Sequence, residues 1–370
     1  LQRHRRGPRS ACSVSFTAAA MALEAQTPKI EEGDITESED CEEGSSEEDV
    51  VPHEYEPVEE SVYGWAVSMI IRDFVWLRVG TSVPGQRAAR VFDAILLVVG
   101  LLGLQIFLLL AVSRLLSGPA VYAIRETYSA YEELMYPNHT QLTVNGFKRG
   151  IPGHLVEERF LLMSNSTAHE VCEIPLSHPW YLMAVIFIWT LTCQVELRNI
   201  FETSVRLLWK TPTVPSEVDV LGRMDEEQGA RVEGLTLAMK LVVGPLLQLP
   251  RALMLVTLLY LGCRWLTATL GLGDVLLNGL ALEFLVVLKD MLYSVCSSHR
   301  ARVDTQRLYI KPFRDVSVPG VATFFGGKIW GILAALWAFT YVFYLQSVLP
   351  DYRWDLREPC TKNIPMGPLF

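Results

Sequence analysis

The run AILLVVGLLGLQIFLLLAVS, residues 94–113, holds twenty residues without a charge, between Asp93 and Arg114. As a helix rising 1.5 Å per residue it is about 30 Å long, the thickness of a bilayer's hydrocarbon core. A helix satisfies its own backbone hydrogen bonds, which lipid cannot do, so a chain carrying this run is expected to fold in a membrane. Residues 179–195 and 329–349 read the same way, with Trp180 and Tyr181 placed as interface anchors on the former. Gly327, Gly331 and Ala335 repeat at fourfold spacing, a pattern that lets another helix approach closely, and packing inside the protein is the expected use.

Residues 241–274 are harder. The longest run free of charge is 252–263, bracketed by Arg251 and Arg264. Thirteen residues give about 20 Å of helix, and arginines reaching outward at each end can extend it to a span. Pro245 and Pro250 are expected to kink its start or to end a surface helix before it. Gly271 and Gly273 then break the chain, and Asp274 is placed to cap a helix over 275–296. That helix carries Asn278, Glu283, Lys289 and Asp290. It either crosses with an acid inside it or lies at the surface.

Sidedness follows from two signals. The only acceptor sequons, at Asn138 and Asn165, fall in the loop 117–178, which is therefore expected outside the cytosol. Positive residues Arg198, Arg206 and Lys210 follow the second span, as expected for a cytosolic side. If 275–296 crosses, then Arg300, Arg302, Arg307, Lys311, Arg314 and Lys328 are cytosolic too. Charge bias thus favours five spans, with four plus a re-entrant or interfacial helix as the alternative. The N-terminus is then cytosolic and the C-terminus extracytosolic, in a membrane of the secretory route. Cys172 and Cys360 share the extracytosolic side, where they can form a disulfide.

Half of the 370 residues are hydrophobic, and the net charge of −9 is uneven. Residues 24–60 hold sixteen Asp or Glu against Lys29 alone. Such a segment cannot bury enough apolar area to fold, so residues 1–60 read as a disordered tail. Its first 23 residues, Arg- and Ser-rich and free of acids, read as a transit peptide or as sequence upstream of Met21. Residues 61–80 interleave Trp65, Met69, Phe74 and Trp76 with Arg72, Asp73 and Arg78. They are expected to form an amphipathic interfacial helix or to pack on the protein's own spans. Residues 351–370 form a short C-terminal tail.

No GxSxG, HExxH, P-loop or GxGxxG occurs, so an enzyme is not expected. His169, Cys172 and His178 lie close in sequence but match no closed zinc site, and no metal or cofactor is expected. Ionisable residues at membrane depth are costly and mark functional paths. The expected activity is therefore that of a transporter or channel-like subunit for an ion or small solute. Glu283 lies in or near the path, with Asn278, Asp290, Arg251 and Arg264 as further candidates. A structural pairing of Glu283 with Arg251 or Arg264 would remove that need. The alternative is a non-catalytic scaffold or receptor that uses the glycosylated loop and presents the acidic tail to a protein partner. Membrane lipid is a partner in either case, and the basic stretch 297–315 could meet anionic headgroups. Nucleic acid is not a partner.

The segment Asn278, Ala281, Leu282, Phe284, followed by Asp290 and Tyr293 and preceded by Leu249-Pro250-Arg251, resembles a family of multi-pass membrane proteins abundant in dinoflagellate algae. Lys289 departs from that family's pattern, which tends to an apolar residue there. The resemblance implies a multi-pass helical fold over roughly residues 62–350 and brings no activity with it.

Overall fold

A computed structural model describes residues 55–80, 83–222, 229–313, 326–350 and 352–363. The acidic run up to Glu54 lies outside the described residues. The remainder of that expected tail does not: Tyr55–Glu60 belong to the folded body, with β1 (Glu56–Pro57) in a sheet.

The body is mostly helical. Among the described residues, four helical stretches are long and apolar enough to cross a membrane: Pro84–Met135, Pro179–Lys210, Leu237–Ala268 and Lys328–Leu345. In the first, α2 (Pro84–Ala111) passes through a π-helical turn into α3 (Gly118–Met135). In the second, α5 (Pro179–Ser204) follows the short α4 (Asn165–Cys172). The third joins α6 (Leu237–Leu241) to α7 (Leu249–Ala268) through another π turn, which contains Pro245. Proline lacks the donor for an i→i−4 bond and its ring crowds the preceding turn. A wider turn relieves that crowding, and the helix continues past Pro119, Pro245 and Pro250 instead of ending there.

A fifth long helix, α8 (Leu272–Cys296), follows α7 after a turn at Gly271, whose φ of 92° suits glycine. Asp274 sits in its first turn and does not cap it. Two contacts fix its course. Tyr181 Oη donates to the Leu272 carbonyl at 2.6 Å, and Lys289 Nζ lies 3.3 Å from Glu196 Oε2. Tyr181 and Glu196 are both on α5, so α8 runs parallel to α5 over about 25 Å of its length. Helix α7 runs the other way, with Arg251 at Glu196 and Trp189 Nε1 donating to Leu259 O at 3.3 Å. Helix α10 (Lys328–Thr340) packs on α5, with Trp330 beside Phe201 and with Ala334 and Ala338 buried. The Gly327, Gly331, Ala335 stripe is not a packing face among the described residues: none of them lies within 4 Å of a Cβ built on either glycine, and Ala335 is exposed.

The long helices thus alternate in direction between two capped ends. One end holds a small sheet in the order β1–β5–β4, with β4 (Ala230–Arg231) parallel and β1 antiparallel to β5 (Leu308–Ile310). Helix α1 (Val62–Val79) and α9 (His299–Gln306) pack there. Ser61 Oγ caps α1 by accepting from Gly64 N–H at 3.2 Å. Of the two expectations for 61–80, packing prevails over a surface position, since Val62 to Met69 are all buried. The other end holds α3, the β2–β3 hairpin (Thr140–Leu142, Lys148–Gly150), α4 and α11 (Arg357–Asn363). A disulfide joins Cys172 to Cys360 there, with Cα atoms 5.6 Å apart.

Candidate functional site

Two hydrophobic cores meet inside the body. One is centred on the bundle and the disulfide end and includes Leu255, Leu258 and Leu282; the other is at the sheet end and includes Val62, Tyr63, Leu247 and Leu288. The change from one to the other falls around Arg251 on α7 and Lys289 on α8. There the protein buries charge.

Arg251 is 4%, Lys289 6% and Glu196 7% exposed. Arg251 Nε donates to Glu196 Oε1 at 2.9 Å, and its Nη2 also reaches that oxygen. Its other edge meets Glu59, with Nη1 3.2 Å from Oε2 and Nη2 3.1 Å from Oε1. Lys289 closes the ring, 3.3 Å from Glu196 Oε2 and 3.4 Å from Glu59 Oε1. Four groups from four segments therefore form one neutral network. The Arg251 guanidinium lies 4.6 Å from the centre of the Tyr63 ring, a cation–π contact.

Burial alone would raise the Glu59 carboxyl, but Arg251 and Lys289 beside it hold it below the ordinary carboxylate value. Burial pushes the Tyr63 phenol up to about 12, against the pull of Arg251. That phenol stays protonated and donates to Gln105 Oε1 at 3.3 Å. Beside the network is a pocket of about 40 Å³ with a floor of Tyr63, Gln105, Glu196 and Lys289 and walls that include Leu258 and Leu285. It has room for a small number of waters. Chemically the site can hold or release a carboxylate.

The residues singled out from the sequence are distributed as follows. Arg251 is the centre of the network, and Asp290 touches its edge through Lys289, 2.7 Å away. Glu283 does not pair with Arg251 or Arg264. It lies midway along α8 on the exposed face that carries Leu276, Leu280, Phe284 and Val287, and it makes no hydrogen bond or ion pair with the described residues. The physical reason is angular: Lys289, six residues on, points inward to Glu196 and so turns the Glu283 face outward. Asn278 Nδ2 donates to Thr269 Oγ1 at 2.9 Å, tying the start of α8 to the end of α7. Arg264 sits toward the other end of α7, half-buried. Asn138 and Asn165 are both exposed at the disulfide end. Cys172 is taken up by the disulfide, and His169 lies 3.3 Å from Glu173. No group of three His, Cys, Asp or Glu among the described residues is placed to hold a metal ion.

Sequence reasoning missed Glu59, Glu196 and Lys289 as network members. Glu196 is the first charge after a seventeen-residue apolar run and looks like an ordinary flanking residue. Comparison of the chain with protein-family models, with curated proteins and with solved structures finds no match.

Proposed function

We propose that this chain is a five-span membrane protein of the transport class, with its sheet end in the cytosol and the Arg251–Glu196–Glu59–Lys289 network as the closure on that side. The observation that carries the reading is this network, buried where two apolar cores meet and bordering a polar-floored pocket. A buried neutral quartet stabilises a fold no better than well-packed apolar residues of similar volume. Its use lies in being openable: protonating one carboxylate, or replacing its partner by a passing cation, undoes a closed arrangement that Leu and Val could not undo.

The fifth span rests on α8 running beside α5 between Tyr181 and Glu196. A helix that covers the same length as a crossing helix crosses with it. The two exposed sequons and the disulfide at one end, and the arginines after α8 at the other, support the assignment of sides. Under this reading Glu283 faces lipid or a neighbouring subunit, and the path moves from Glu283 to the network.

The test is flux in proteoliposomes. Glu196→Gln and Lys289→Met are expected to raise proton or monovalent-cation leak severalfold over the unmodified protein, while Glu283→Gln leaves it unchanged. Leak that stays at the level of protein-free vesicles in every variant would sink the transport reading. The second reading, a scaffold or receptor, has one observation in its favour: Glu59, at the root of the acidic run, is locked into the network. A partner that binds the run would then act on the body through that residue.

A further inference from the structure

A second cluster of charge lies at the sheet end, where α1, the first turns of α2, α9 and the residues Val218, Gly222 and Gly229 surround an open pocket of about 830 Å³. Its walls hold Arg72, Arg87, Arg90, Arg300 and Arg307, with one lining carboxylate, Asp304. Asp304 lies 2.7 Å from Arg72 and 3.1 Å from Arg90. Asp73, fully buried, lies 3.1 Å from Arg87 and 3.2 Å from Arg90. Two acids thus hold three arginines in place without cancelling their charge. Arg300 and Arg307 are exposed, and their side chains make no hydrogen bond or ion pair with the described residues. Among the described residues, five arginines stand against two aspartates around the pocket.

The height of the pocket narrows what it can take. Arg90 and Arg87 stand four and seven residues before Ala94, where the apolar run of α2 begins. That places them about 6 and 10 Å outside the hydrocarbon edge, at the level of lipid headgroups. Trp76 and the exposed Val79 line the same pocket, and exposed Phe92 follows Arg90 on α2. Guanidinium groups present paired donors that match phosphate oxygens, and several together suit a multiply charged phosphate better than a single carboxylate. The volume falls within the range of small-molecule sites.

We infer that this pocket binds the headgroup of an anionic phospholipid that carries phosphate monoesters, drawn from the leaflet at the sheet end. The inference needs α2 to cross the membrane; it does not need the transport reading.

The test uses the full chain in phosphatidylcholine nanodiscs, titrated with a fluorescent phosphatidylinositol bisphosphate. The double variant Arg300→Gln/Arg307→Gln removes the two arginines that make no ion pair with the described residues and is expected to weaken binding by at least about tenfold. Arg198→Gln, which alters an arginine paired with Glu202 outside the pocket, is expected to change nothing. Unchanged affinity in the double variant overturns the site, as does an equal loss in Arg198→Gln. Equal affinity for phosphatidylserine reduces the pocket to general attraction for anionic lipid and overturns the assigned class. Inorganic phosphate or soluble inositol bisphosphate bound as tightly as the lipid makes the ligand a free phosphate and overturns the lipid source.

Discussion

Arg251 shows how far a single residue can be read without coordinates. Spacing offered it two uses, reaching outward at the end of a span or pairing with Glu283, and it does neither: it is 4% exposed and meets Glu196 and Glu59. Its partner is a matter of rotation and depth along three helices, which sequence spacing on one helix does not contain. Glu196 and Glu59 meet it, while Glu283, in the middle of the next helix, turns away. Removing one member of a buried pair leaves an uncompensated charge, so Arg251→Met is expected to cost about 3–5 kcal/mol. Glu283→Gln, which loses no hydrogen bond or ion pair with the described residues, is expected to stay within about 0.5 kcal/mol. Thermal unfolding of the two purified variants checks both values. His178 offers a pH test. Burial lowers its pKa from the ordinary 6.5, so the neutral ring contributes stability above that value. That contribution is lost as pH falls through the lowered one. Melting temperature is expected to drop between pH 7.5 and 5.5, and less so in His178→Gln.

At the scale of elements, hydropathy alone locates the apolar runs at 94–113 and 179–195, but the helices that contain them extend well beyond, over Pro84–Met135 and Pro179–Lys210. Helix α3 was missed inside what read as a loop. Its buried Val121, Ile124, Tyr128, Tyr131 and Met135 follow helical spacing, but the Gly118-Pro119 pair before them reads as a stop. The π turn that carries the chain past that proline leaves no signature in composition. The α5–α7 contact was equally hidden. Gly262 lies against the indole of Trp189, where a Cβ would come within 2.6 Å of Nε1. Gly262→Ala is expected to cost about 1–3 kcal/mol through overpacking, read as a lower melting temperature. Gly331→Ala, with open space around it, is expected to leave that temperature unchanged.

For the whole molecule, the positive residues and sequons point to the same alternation of direction that the helices show. The sheet at one end and the hairpin at the other could not be read, because each pairs short strands far apart in sequence or in a loop without strong periodicity. An acceptor sequon engineered on a spacer after Phe370 is expected to be glycosylated, which gives an odd number of spans. An unmodified, protease-sensitive tail would return α8 to the surface. Cys172→Ser is expected to lower stability by about 2–4 kcal/mol, seen as greater sensitivity to heat in nonreducing detergent. The two cysteines stand 188 positions apart, with α5, α7, α8 and α10 between them. On the proposed topology the ribosome must have delivered every one of those helices to the bilayer before the two thiols can share a compartment. Oxidation of this pair is therefore a certificate of complete insertion. A cell that recognises the free thiol of Cys172 as a mark of immaturity has a simple way to retain half-inserted copies.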